Sequence, residues 1–180
     1  MIVFGGIILF KDFCEFVKVT NHRDAKDFDS FMTIYGGKTF LNGIYRVHQI
    51  SDIEKWTNIV CEAFPAYKGR IKVFGFDWLG RSFALDTIRN TVLLFEPGTK
   101  EVLDIPANFV DFHNIEIAEY HEDSLASKFF YKWFETNNGF VLAHNQCAGY
   151  KVPLSLNGDD SLENLEVTDM EVYWGLMAQL

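Results

Sequence analysis

Residues 71–106, IKVFGFDWLGRSFALDTIRNTVLLFEPGTKEVLDIP, hold four short runs that each read as a strand: Ile71–Asp77, Arg81–Leu85, Thr91–Phe95 and Glu101–Ile105. β-Branched, aromatic and leucine side chains dominate them, and turn residues separate them. In Glu96-Pro97-Gly98-Thr99 the proline presets φ at about −65° and the glycine offers a positive φ at the next position, the pattern of a type II turn. Leu79-Gly80 and Arg89-Asn90 supply the other two corners. Pro106 has no N–H for a ladder and ends the last run. Connections this short join antiparallel neighbours, because a parallel return needs a crossover of about a dozen residues. The stretch therefore predicts an antiparallel meander. In its first run Ile71, Val73 and Gly75 alternate with Lys72, Phe74 and Phe76, and both sets are largely apolar, which predicts a central strand covered on both sides.

Toward the N-terminus, Phe13, Cys14, Phe16 and Val17 fall at helical spacing within Lys11–Val19, opposite Lys11, Asp12, Glu15 and Lys18. Asp24 or Asp27 is placed to cap a second helix bearing Phe28, Phe31, Met32 and Tyr35, which Gly36-Gly37 would stop. Phe40–Val47 reads as extended, with a bend at Asn42-Gly43. Ser51-Asp52-Ile53-Glu54 has the form of a capping box, followed by the stripe Ile53, Trp56, Ile59, Val60 and Phe64 and an exit at Pro65. Beyond the meander, Phe109, Val110 and Phe112 predict a short helix, and His121–Glu135 a longer one stopped by Asn137-Asn138-Gly139. Tyr150–Leu156 predicts a fifth strand, at an edge or broken by a bulge because Pro153 lies inside it. Thr168-Asp169-Met170-Glu171 predicts a second capping box, opening a C-terminal helix. The expected fold is α+β: an antiparallel meander of about five strands packed with N- and C-terminal helices, residues 1–180 forming a single compact domain.

Longer stretches carry a resemblance. FGFDWLGRSFALD (Phe74–Asp86) and VLLFEPGTKEVLDIP (Val92–Pro106) resemble the C-terminal domain of a bacterial immunity-protein family associated with type VI secretion and DNase effectors. PANFVDFHN (Pro106–Asn114), GYKVPLSLNGDDSLENLEVTDMEVYW (Gly149–Trp174) and the terminal Gln179-Leu180 extend it, giving a region over residues 70–180. IYGGKTFLNGIYRVHQISDIEKW (Ile34–Trp56) resembles the GAD-like domain that often precedes it, here over residues 20–65. The resemblance implies that the chain neutralises a cognate toxin, a basic nuclease effector, by binding it; it implies no catalytic motif and no cofactor.

Charge is the compositional feature that speaks to partners. The formal net charge is −9. No Lys or Arg falls between Lys100 and Lys128, where Glu101, Asp104, Asp111, Glu116, Glu119, Glu122 and Asp123 do; none follows Lys151, where Asp159, Asp160, Glu163, Glu166, Asp169 and Glu171 do. Such runs are ordinary solvated surface in many proteins, and acids also sit well near helix N-termini. A single-sign face additionally steers cationic partners, and a nuclease is basic where it holds phosphate. Asp159, Asp160, Glu163 and Glu166, in an expected exposed loop without a basic neighbour, are the candidate partner-binding residues. Direct binding of nucleic acid by so acidic a chain is not expected.

Other readings are weaker. Cys14, Cys61 and Cys147 lack CxxC spacing and are odd in number, which predicts reduced, buried thiols and a cytoplasmic protein. Ile2–Phe10 is apolar but has no basic region before it, no small-residue cleavage site after it and far fewer than the roughly 20 residues that span a bilayer, so a first strand or helix start is expected rather than a membrane anchor. His113 and His121 stand at no metal-site spacing, Asn157-Gly158-Asp159-Asp160 lacks an EF-hand's ligand pattern, and Asp77 and Asp86 around Arg81 fit a salt-bridged hairpin end better than an acid/base pair. The alternative to a binding protein is a small-molecule-binding domain or enzyme using an aromatic cleft around Trp78, Tyr150 and Trp174.

Overall fold

Thr39–Phe40 (β1), Tyr45–Val47 (β2), Ile71–Asp77 (β3), Ser82–Asp86 (β4), Thr91–Glu96 (β5) and Glu101–Ile105 (β6) hydrogen-bond in chain order as one antiparallel meander. The computed structural model describes residues 9–20 and 25–180; Asp24 and residues 2–8 of the apolar N-terminal stretch lie outside them. The sheet thus begins before the predicted meander, with two short strands from the region read as GAD-like.

A bulge in β3 sorts the side chains between the two faces. Val73 stands opposite Ala84 and Gly75 opposite Phe83, with the register shifting between them. The extra residue breaks the period of two. Ile71, Val73 and Phe76 join Ala84, Leu93 and Phe95 on one face, while Phe74 joins Phe83, Val92 and Leu94 on the other. Both faces of the strand read as apolar because both are covered.

The Phe74 face packs against α1 (Lys11–Phe16), α2 (Phe28–Tyr35), α4 (Phe109–Asp111) with the π-helical turn Phe112–Ile117 that continues it, α5 (His121–Leu125) and α6 (Ser127–Thr136), through Phe13, Phe31, Phe109, Phe112, Phe130 and Trp133. The opposite face packs against α3 (Ile53–Ala63) and α7 (Met170–Ala178), through Trp56, Val60, Met170, Tyr173 and Trp174. The predicted α2 cap holds: the Asp27 carboxylate accepts from Ser30 N (2.9 Å) and the Ser30 hydroxyl accepts from Asp27 N (3.0 Å). The three cysteines are buried and free. Gln146–Tyr150 (β7) and Leu165–Asp169 (β8) form a separate two-stranded sheet, tied to the β3–β4 corner where Ala148 N donates to Trp78 O (2.8 Å).

Several local expectations are corrected. Gly98 does not carry the positive φ; Lys100 does (φ 62°), closing the turn with its N–H on Glu96 O (2.9 Å). Gly98 is needed instead for close approach, since a Cβ there would stand 2.9 Å from the Tyr150 ring. Ser51 caps nothing: a 3₁₀ turn, Ile50–Asp52, leads into α3 and the Ser51 hydroxyl donates to the Asp52 carboxylate (3.2 Å). Thr168 lies within β8 opposite Cys147, so Asp169 caps α7 by accepting from Glu171 N (2.9 Å) and Val172 N (3.2 Å). The long helix expected over His121–Glu135 breaks at Ala126 (φ 49°), where the Glu122 carboxylate folds forward to accept from Lys128 N (2.9 Å) and the Ser127 hydroxyl (3.0 Å). The fifth strand ends at Tyr150 rather than beginning there. Beyond it Asn164 substitutes for a ladder, accepting from Val152 N (3.0 Å) and donating to Val152 O (2.8 Å).

Candidate functional site

Asp159, Asp160, Glu163 and Glu166 are all exposed. The first three lie in the loop between the 3₁₀ turn Leu154–Leu156 and β8, and Glu166 lies in β8 opposite Gly149. The loop is held by its backbone rather than left to wander. Asn164 Nδ2 donates to Asp159 O (2.8 Å), and Gly158 packs so tightly that a Cβ would fall 1.9 Å from Val152 O. One expectation fails here: Lys151 reaches the loop, donating from Nζ to Glu163 O (2.6 Å). Four carboxylates against one ammonium still leave the patch negative. Beside it, Asp160 accepts from the Tyr150 hydroxyl (2.7 Å), and partial burial, then this carboxylate, push the Tyr150 pKa up.

Asp160 and Tyr150 also form one wall of a recess of about 260 Å³. The β5–β6 turn (Pro97, Gly98, Thr99), Phe129 of α6, Tyr173 of α7 and Arg81 with Glu96 complete it. Arg81 is the structural pin. Its Nε donates to Asp77 (2.6 Å), Nη1 to Glu96 (2.9 Å) and Nη2 to Ser124 O (3.0 Å), so it ties the β3–β4 corner to β5 and to the end of α5. Burial raises the Asp77 carboxyl's pKa, and Arg81 pulls it back.

The remaining candidates separate. Asp77 pairs with Arg81 as the hairpin-end reading has it, but Asp86 lies at the other end of β4, on Arg70 (2.5 Å), which holds the Asp86 carboxyl down at about 2. His113 is buried, with Nε2 against the Tyr45 hydroxyl (2.9 Å) and Nδ1 against Phe109 O (2.8 Å), while His121 meets Ser127 (2.7 Å). Among the described residues no three His, Cys, Asp or Glu side chains are grouped as metal ligands. Trp78, Tyr150 and Trp174 do not share a cleft: Trp78 is fully buried in the core on one face of the sheet and Trp174 in the core on the other, and of the three only Tyr150 lines the recess. Of the acids from Glu101 to Asp123, Asp104 pairs with Arg89 and Glu122 is used as a cap, while Asp104, Glu116 and Asp123 line another, more open groove.

Every element just described as building the loop patch, and half of the recess, lies in the last third of the chain. Residues 112–180 match the family described as T6SS immunity protein Tdi1, C-terminal. The Tdi1-matching span holds all four candidate acids together with Phe129, Tyr150 and Tyr173 of the recess; the meander and the region read as GAD-like precede it. Among solved structures the chain is similar in fold to the crystal structure of Atu4351 from Agrobacterium tumefaciens, with a TM-score of 0.60 and 20% identity over 78% of this chain and 69% of that one. No curated protein matches. Among the described residues, no helix is long and apolar enough to cross a membrane.

Proposed function

We propose that this chain is the immunity partner of a type VI effector and neutralises it by stoichiometric binding, with no chemistry of its own. The Tdi1 match over residues 112–180 carries this reading. The net charge of −9 and the exposed acids of the 157–166 loop support its finer part, that the effector is a DNase with a basic nucleic-acid-binding surface and that this chain covers that surface. Neutralisation then takes place in the cytoplasm, where the target DNA is. Purified protein should extinguish the DNase activity of the effector encoded beside it at a molar ratio near one. Growth under effector expression should be restored by co-expression of this chain. Inactivation at a small fraction of one equivalent would point to an enzyme instead, and a full excess without effect would remove the reading.

A further inference from the structure

The recess between the β5–β6 turn, β7 and α7 is a formed cavity that surface charge alone does not use. Its walls are aromatic, from Phe129, Tyr150 and Tyr173, and its charged groups are Arg81, Glu96 and Asp160. Arg81, with its side chain 12% exposed, is already matched by Asp77 behind it. Glu96 and Asp160 therefore leave the recess with surplus negative charge. Each also retains accepting capacity: Glu96 holds Arg81 through Oε1 while, among the described residues, Oε2 meets only the Thr99 hydroxyl at 3.3 Å, and Asp160 uses Oδ1 on the Tyr150 hydroxyl. Carboxylates set among aromatic faces are an environment that holds a guanidinium or ammonium group, by charge-assisted hydrogen bonds and by cation–π contact. The site is also braced. Ser155 N donates to Gly98 O (3.0 Å), Tyr150 N donates to the Tyr173 hydroxyl (3.3 Å), and Gly98 gives the Tyr150 ring its room.

We propose that this recess binds the guanidinium or ammonium of a basic side chain, and that the effector delivers it; the second part rests on the immunity reading. A basic side chain seated here would be an anchor of the kind that dominates interface energetics, while the surrounding loop acids steer the approach. The site itself is tested without effector, by amide chemical shifts of Gly98, Thr99, Tyr150 and Asp160 during titration with N-acetyl-arginine amide or with its uncharged citrulline counterpart. The arginine compound should shift these amides saturably and the citrulline compound should not, and Asp160→Asn should weaken the arginine response several-fold without lowering Tm. No saturable shift, or equal shifts with both compounds, overturns the site. Delivery is tested with purified effector. Asp160→Asn should speed dissociation about tenfold and leave the salt dependence of association close to the parent's. An unchanged dissociation rate overturns the anchor role and leaves immunity standing, whereas an effector that never binds the parent removes immunity and delivery together and leaves the arginine result intact.

Discussion

Arg46 is fully buried, and among the described residues no carboxylate is paired with it. Backbone carbonyls take that place: Nη1 donates to Ala143 O (2.9 Å) and to Gln146 O, Nη2 donates to Asp77 O (3.0 Å), and the guanidinium lies 4.5 Å from the centre of the Phe76 ring. Burial lowers its pKa to about 10, which keeps it charged at neutral pH. Arg46→Met keeps the bulk and leaves those carbonyls without their donor, so urea unfolding should show a loss of about 3 kcal/mol or more; a near-neutral result would mean that packing, not the hydrogen bonds, holds β2 to the start of β7. His113 makes the opposite choice, because burial drives its pKa down to about 3 and keeps it neutral. Its folded pKa lies below the unfolded value of about 6.5. The stability it contributes is therefore complete above pH 6.5 and is lost as pH falls toward 3, at about 1.4 kcal/mol per pH unit. His48, also buried and with its pKa lowered by burial, adds to the same acid limb. Unfolding midpoints measured between pH 7 and pH 4 should fall steeply for the parent and less steeply for His113→Gln; equal slopes would contradict the assignment. None of these burials was readable beforehand, because a single polar residue carries no period and its depth is set by elements distant in sequence.

At the scale of elements, turn chemistry and strand composition were sufficient for the meander. Ile71–Asp77 and Glu101–Ile105 are predicted and observed with the same ends, and Gly80 (φ 81°) and Asn90 (φ 56°) take the corner conformations their positions suggest. The bulge at Phe74 was hidden because a two-sided apolar strand shows no phase in which to detect a slip. Its consequence is testable. Phe74→Ala and Leu94→Ala each hollow the core on the same face and should cost about 2–5 kcal/mol in thermal or denaturant unfolding. A neutral outcome for either would displace the sheet from the centre of the molecule. The caps that were misplaced failed for a common reason. Ser51 and Thr168 each precede an aspartate that ends the neighbouring 3₁₀ turn or strand, and one residue of extra regular structure moved the helix start past the serine or threonine. Likewise β8, with Glu166, Val167, Thr168 and Asp169, alternates too weakly to announce a strand without the partner β7 that defines it.

On the scale of the whole molecule, the sheet is covered on both faces, and the candidate acids are gathered at the β7–β8 end, beside the recess. Sequence gave sufficient reason to expect Asp159, Asp160, Glu163 and Glu166 outside the core, because a charged turn rich in Asn and Gly has no apolar face to bury. It could not show Lys151 folding onto them, nor the recess, which joins Arg81 and Glu96 to Tyr150 and Tyr173 across long separations in the chain. Exposed charges contribute at most about 1 kcal/mol each to folding, so the variant with all four acids changed to lysine should remain folded, its main loss being the acceptor for the Tyr150 hydroxyl. Their effect belongs to encounter with a cationic effector, which ionic strength screens. The central measurement is the association rate of purified effector at two ionic strengths, for the parent and for the variant with Asp159, Asp160, Glu163 and Glu166 all changed to lysine. The parent should associate quickly and slow markedly with added salt, and the folded variant should associate more slowly with a flatter salt dependence; equal rates and equal salt slopes would contradict an acidic docking face at this end of the molecule.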